Sequence, residues 1–149
     1  MKTRNHIKAI FIFSIVSMLA GCVNVATSTV DPSANLSSLK TMYVKQIPAD
    51  KRGVNQIIAD KLRSKGVKVS TGVEEPQQGA YDALVTYADK WMWDITMYMF
   101  ELTVAIRDPK DQVPLATARS KHGSLTRYSP QEMVDEVIDN IYQGTGANK

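Results

Sequence analysis

The chain has 149 residues, of which 44% are hydrophobic and 22% charged, enough for one domain with a modest core. Its formal net charge is +3, from 18 Lys and Arg against 15 Asp and Glu, but all three surplus cations, Lys2, Arg4 and Lys8, precede an apolar leader. Residues 22–149 carry 15 of each sign and no block of Lys or Arg, a composition that argues against nucleic acid as a partner.

In chain order, the basic leader is followed by the apolar run Ala9 to Ala20 and then Gly21 and Cys22. A charged leader, a short apolar segment and small residues at a cut site predict a secretory signal peptide over residues 1–21. The run is shorter than the roughly 20 apolar residues of a spanning helix. Leu19-Ala20-Gly21-Cys22 resembles the lipobox of bacterial lipoproteins, in which the Cys is acylated and becomes the mature amino terminus. Cys22 is the only cysteine, so an exported thiol would have no intrachain partner, whereas an acylated one needs none. Several acyl chains anchor stably where one is marginal. Val23 and Asn24 follow, and the absence of Asp at the second position implies, by that resemblance, an outer-membrane address facing the periplasm.

Residues 22–39 are rich in Ser, Thr, Asn and Ala and read as a flexible tether. A domain is predicted over residues 40–143, with a tail at 144–149. Thr41 to Ile47 reads as a strand closed by Pro48, and Lys51 to Lys65 as a helix with Val54, Ile57, Ile58 and Leu62 at helical spacing. Gly66 and Val67 predict a Schellman ending to that helix. Val67 to Thr71 is a short strand, and residues 72–79 a polar loop. Two long strands follow, Tyr81 to Trp93 and Thr96 to Asp108, with a turn at Asp94-Ile95. A last strand, from Leu115 to Gly123, has the small and polar side chains of a sheet edge. Ser129-Pro130-Gln131-Glu132 is a capping-box start for a helix with Met133, Val134, Val137, Ile138, Ile141 and Tyr142 in one stripe, ended by Gly144.

These elements predict an α+β fold: a two-layer sandwich of a mixed four- to five-stranded sheet with two helices on one face and the other face open. The lipobox, this element order and the capped terminal helix resemble small bacterial outer-membrane lipoproteins. Their α+β sandwich is similar to the TolB amino-terminal and anticodon-binding-like domains and to the LPS-assembly lipoprotein LptE. The resemblance implies an accessory or scaffolding role in envelope assembly, without catalysis.

The residues offer little else for chemistry. No nucleophile elbow, zinc helix or phosphate loop is present, and no cofactor or metal is implied. His122 is the one histidine after the leader; Ser120 lies on its side of a strand, and a solvent-facing position on an edge is expected. Asp82, Asp89, Asp94 and Glu101 are the carboxylates to check for a cell-wall glycan hydrolase, which needs a pair roughly 5–9.5 Å apart. Lys90 to Phe100, KWMWDITMYMF, is the most unusual stretch. Clean alternation in the second long strand would turn Tyr98, Phe100, Leu102, Val104 and Ile106 to the helices and leave Met97 and Met99 on the open face. With Met92, Trp91 and Trp93 they form the candidate surface for an envelope protein or glycolipid. Alternatives are a small-ligand or copper(I) site built on the thioethers, and ordinary core packing.

Overall fold

A computed structural model describes residues 24–146; the leader, Cys22 and the end of the tail lie outside the described residues. The fold is α+β, a two-layer sandwich. Six strands, β1 (Val25–Val30), β2 (Thr41–Lys45), β3 (Lys68–Gly72), β4 (Ala83–Trp93), β5 (Met97–Arg107) and β6 (Pro114–Lys121), form one sheet in the order β1-β6-β5-β4-β2-β3. Helices α1 (Val54–Ser64) and α2 (Pro130–Gly146) cover one face and share a single core with it.

Local chemistry sets the element ends. Helix α1 stops where Gly66 takes φ 87°, with its N–H donating to the Arg63 carbonyl and that of Val67 to the Leu62 carbonyl. This is the Schellman pattern predicted from Gly66 and Val67. At the start of α2 the Ser129 N–H donates to the Glu132 carboxylate at 2.8 Å, and the Glu132 N–H donates back to Ser129 Oγ at 3.2 Å. The capping box is therefore closed on both sides. Strands β2 and β3 are parallel with α1 as their crossover, and β4, β5, β6 and β1 continue as an antiparallel set. Lys61 of α1 reaches Asp135 and Asp139 of α2, and Lys65 reaches Asp139 at 2.7 Å. Burial opposes the charge on Lys61, but the two carboxylates outweigh it and hold its pKa above the ordinary lysine value.

The helix-facing set is Met42, Val44, Ala83, Val85, Leu102, Val104, Ile106, Ala116 and Ala118, against Ile58 and Leu62 of α1 and Met133, Val137, Ile138 and Ile141 of α2. On the other face Tyr43 and Leu84 are also buried. Tyr81 stacks on Tyr43, whose hydroxyl donates to the Glu74 carbonyl, so the loop after β3 covers that end of the open face.

Three expectations are corrected here. Residues 25–30 are not tether but the strand β1, antiparallel to β6. Their β-branched alternation, VATSTV, outweighs the polar composition once an edge is there to pair with. It follows that β6 is not an edge. Nor does Gly144 end α2, which continues to Gly146. A Cβ on Gly144 would lie 3.1 Å from Val30 Cγ2 and 3.5 Å from Ser28 Oγ, so this glycine lets the helix lie close on β1. Gly144→Val should therefore destabilise the fold by about 1–3 kcal/mol in urea titration. Amide exchange should show the β1 protons losing protection first.

Candidate binding surface

The candidate stretch spans the end of β4, the turn and the start of β5, and the structure divides it. The pairing runs Lys90 with Glu101 and then Trp91 with Met99, so Phe100 is an unpaired, bulged residue. Beyond the bulge the alternation of β5 reverses. Met99 is therefore on the helix side and buried in the core, and Trp91 is partly buried against that core under the Arg52 guanidinium. Both are corrections: neither Met99 nor the body of Trp91 is free surface. Phe100 is turned to the open side instead, where Lys121 Nζ lies 4.8 Å from its ring centre. Tyr98 is buried, with Arg127 stacked over it.

Met92, Trp93 and Met97 are exposed, at 44%, 72% and 46%. Ile95 in the turn, which the sequence reading passed over, is 86% exposed. An isoleucine where a turn favours polar residues was the available signal. The apolar patch therefore sits at the tip of the β4–β5 hairpin, not on the open face. With Met99 in the core, the three thioethers do not form one copper(I) site. Among the described residues no group of three or more His, Cys, Asp or Glu could hold a metal ion.

The open face itself is small and polar over the antiparallel strands. One row across it reads Thr27, Arg119, Thr103, Ala88 and the next Thr29, Thr117, Ala105, Thr86. Beside them lies Glu101, 8% exposed, which accepts from Arg119 at 2.6 Å and from Lys90 at 3.1 Å. The Arg119 hydrogen bond is the main reason its pKa is held below the ordinary carboxylate value, with Lys90 adding to it against the effect of burial.

The other carboxylates have structural partners. Asp82 accepts the Lys40 and Thr41 N–H groups, Asp89 the Trp91 indole N–H, and Asp94 the Arg127 guanidinium. His122 is not solvent-facing on an edge. It is 3% exposed, stacked on Tyr128 with ring centres 3.7 Å apart, and its Nε2 lies 2.9 Å from Glu136. Ser120 Oγ bonds the same Glu136 oxygen, so histidine and serine share one carboxylate and do not bond each other. That arrangement lacks the serine–histidine hydrogen bond a nucleophile needs. The burial follows from β1, which makes β6 interior, and from α2 crossing over it. A shallow hollow of about 370 Å³ lies at the opposite end of the sheet, lined by Thr29 to Pro32 and Pro114 to Thr117.

No protein-family model matches the sequence, and no curated protein matches it either. Among solved structures, the chain is similar to a PelC dodecamer from Paraburkholderia phytofirmans in two crystal forms. One, a single-residue variant, superposes with a TM-score of 0.58 at 14% identity, covering 80% of this chain and 97% of that one. The other gives 0.58 at 15% identity, covering 82% and 97%. At that identity the likeness establishes a shared fold.

The Glu101 cluster yields a pH-dependent prediction. A carboxylate whose folded pKa is depressed contributes stability above its unfolded pKa of about 4.3 and loses it as pH falls through the folded value. Glu101→Gln should cost about 1–2 kcal/mol at pH 7, because both cations lose a charged acceptor at a partly exposed site. Urea titrations should show the gap between the two proteins shrinking from pH 5 towards pH 3.

Proposed function

We propose that the chain is a non-enzymatic lipoprotein held by lipid on Cys22 at the outer membrane, facing the periplasm. It serves as an accessory or scaffold in envelope assembly, binding a protein or glycolipid through its open sheet face. The observation that carries this reading is one-sided cover: the helices bury one face, while on the other the Thr27-to-Ala88 and Thr29-to-Thr86 rows leave Thr27, Thr29, Ala88 and Arg119 exposed and Thr86, Thr103 and Thr117 half-exposed, with Ala105 alone buried. Short hydroxyl side chains beside a Lys90–Glu101–Arg119 cluster suit a flat, hydroxyl-rich or amide-rich partner. The lipobox at Leu19 to Cys22 supports the anchor, and the polar face supports docking over insertion.

A second reading, self-association, is favoured by β1. This edge has no Lys or Pro among its six residues, and four of them are exposed. The opposite edge is partly blocked, since Arg63 donates to the Val69 carbonyl of β3 at 2.7 Å. The structural neighbours are dodecamers. Native mass spectrometry would reveal such assemblies, and a charge placed on the edge by Thr27→Lys should disperse them.

Two experiments test the main reading. Cys22→Ser should move the chain from the membrane to the soluble periplasmic fraction. A photo-crosslinking residue at Ala88 or Thr117 should give specific adducts in cells, while the exposed helix positions Gln56 and Gln131 give none. Equal labelling at all four positions would reject the open face as the docking surface.

A further inference from the structure

The most exposed large apolar side chains, Trp93, Ile95 and Leu125, lie at one end of the sheet, and that end is where the chain enters the domain. Trp93, Ile95 and Met97 project from the hairpin tip. Leu125, in the turn after β6, is 84% exposed, and two residues later Arg127 binds the hairpin. Its guanidinium donates to Thr96 Oγ1 at 2.6 Å and to Asp94 at 3.1 Å, and lies over the Tyr98 ring. Leu125 is thereby fixed beside the tip.

Strand β1 begins at the same end. Val25 pairs with Lys121, Lys121 with Glu101, and Glu101 with Lys90, a single row three residues from the tip residue Trp93. Just before it, Asn24 Oδ1 accepts from Thr126 Oγ1 at 2.6 Å, in the turn that carries Leu125. Cys22 precedes Asn24 by two residues in the sequence, so the chain from that cysteine enters the domain at this end.

We propose that the hairpin tip and Leu125 form an interfacial membrane foot that enters the headgroup–acyl boundary beside the lipid on Cys22. The inference rests on the lipoprotein reading and adds to it an orientation of the domain. Its occupant is a lipid surface, for three reasons. The described chain begins, two residues after Cys22, at the end that carries the patch. Trp, Ile, Met and Leu at a protruding tip match the side chains that settle at the boundary. Of the acidic groups at this end, Asp94 and Glu101 are held by Arg127, Lys90 and Arg119, and Asp89 accepts the Trp91 indole N–H, while Lys121 over Phe100 is placed to meet anionic headgroups. A foot of this kind does not cross the bilayer, so it leaves no strand edge unpaired in hydrocarbon.

The test uses the mature chain from Cys22, which contains the whole described fold. Its only cysteine is coupled to maleimide lipid in phosphatidylethanolamine–phosphatidylglycerol vesicles. Trp91→Phe leaves Trp93 as the sole reporter. The expected result is a blue-shifted Trp93 emission, quenched at least twofold by lipids brominated near the headgroup and protected from iodide. In uncoupled chain, Ile95→Ser with Leu125→Ser should weaken vesicle binding about tenfold without moving the urea midpoint. Trp93 still open to iodide on the vesicle would overturn the foot and leave the lipid anchor untouched. Trp93 shielded without vesicles, as protein concentration rises, would overturn it in favour of a second copy. If Cys22→Ser leaves fractionation in cells unchanged while Trp93 is lipid-quenched, the anchor fails and the foot stands.

Discussion

A single unpaired residue organises the end of the sheet that carries the hairpin tip. Phe100 has no partner on β4, and the two-residue alternation of β5 changes phase there. Without the bulge, Phe100 would join Leu102, Val104 and Ile106 under the helices, and Met99 would face outward. With it, Met99 completes the core, while Phe100 and Glu101 share the open side. The physical constraint is the period of a strand: one inserted residue exchanges the two faces for everything beyond it. On β5 the facing of Met97, Tyr98 and Met99 depends on that one position, whereas Trp91 and Trp93 keep the unbroken alternation of β4.

The buried polar groups show the same economy of partners. Glu101 is held between two cations, and Glu136 is shared by Ser120 and His122. Asp50 accepts the Tyr87 hydroxyl and the N–H groups of Arg52 and Asn55; burial would raise its pKa, yet these hydrogen bonds prevail and lower it. Groups bonded in this way tie the sheet, the helices and the connecting turns together, and removing the cations would leave the Glu101 carboxylate buried without a charged partner. Ser120 and His122, which share a strand face in the sequence, are thus placed in a packing role by a third residue from α2.

The two ends of the sheet differ in character. One carries the entry of the chain, the apolar tip and the turn bound by Arg127. The other carries the hollow beside Asp31 and Pro32 and the turn between β5 and β6. Between them lies the partly exposed face of threonine rows. This polarity would give the two proposed contacts, a membrane and a soluble partner, separate surfaces on a domain of about 120 residues (24–146).

Much of this was legible in the residues themselves. Gly66 with Val67, and Ser129 with Glu132, are local devices whose hydrogen bonds form within a few residues, so the helix ends could be read directly. The stripe from Met133 to Ile141 and the core side chains Leu102, Val104 and Ile106 of β5 follow from periodicity for the same reason, as does the α+β class. Long-range pairing was not legible. Whether VATSTV is tether or strand depends on β6 being available; whether Gly144 ends a helix or admits a close strand depends on Val30; whether Met99 is surface or core depends on a bulge between two strands. Local hydrogen bonding and hydrophobic period are properties of the sequence alone. Register, edge pairing and the gathering of Trp93, Ile95 and Leu125 with the entry of the chain belong to tertiary structure, because each is settled by a partner far away along the chain.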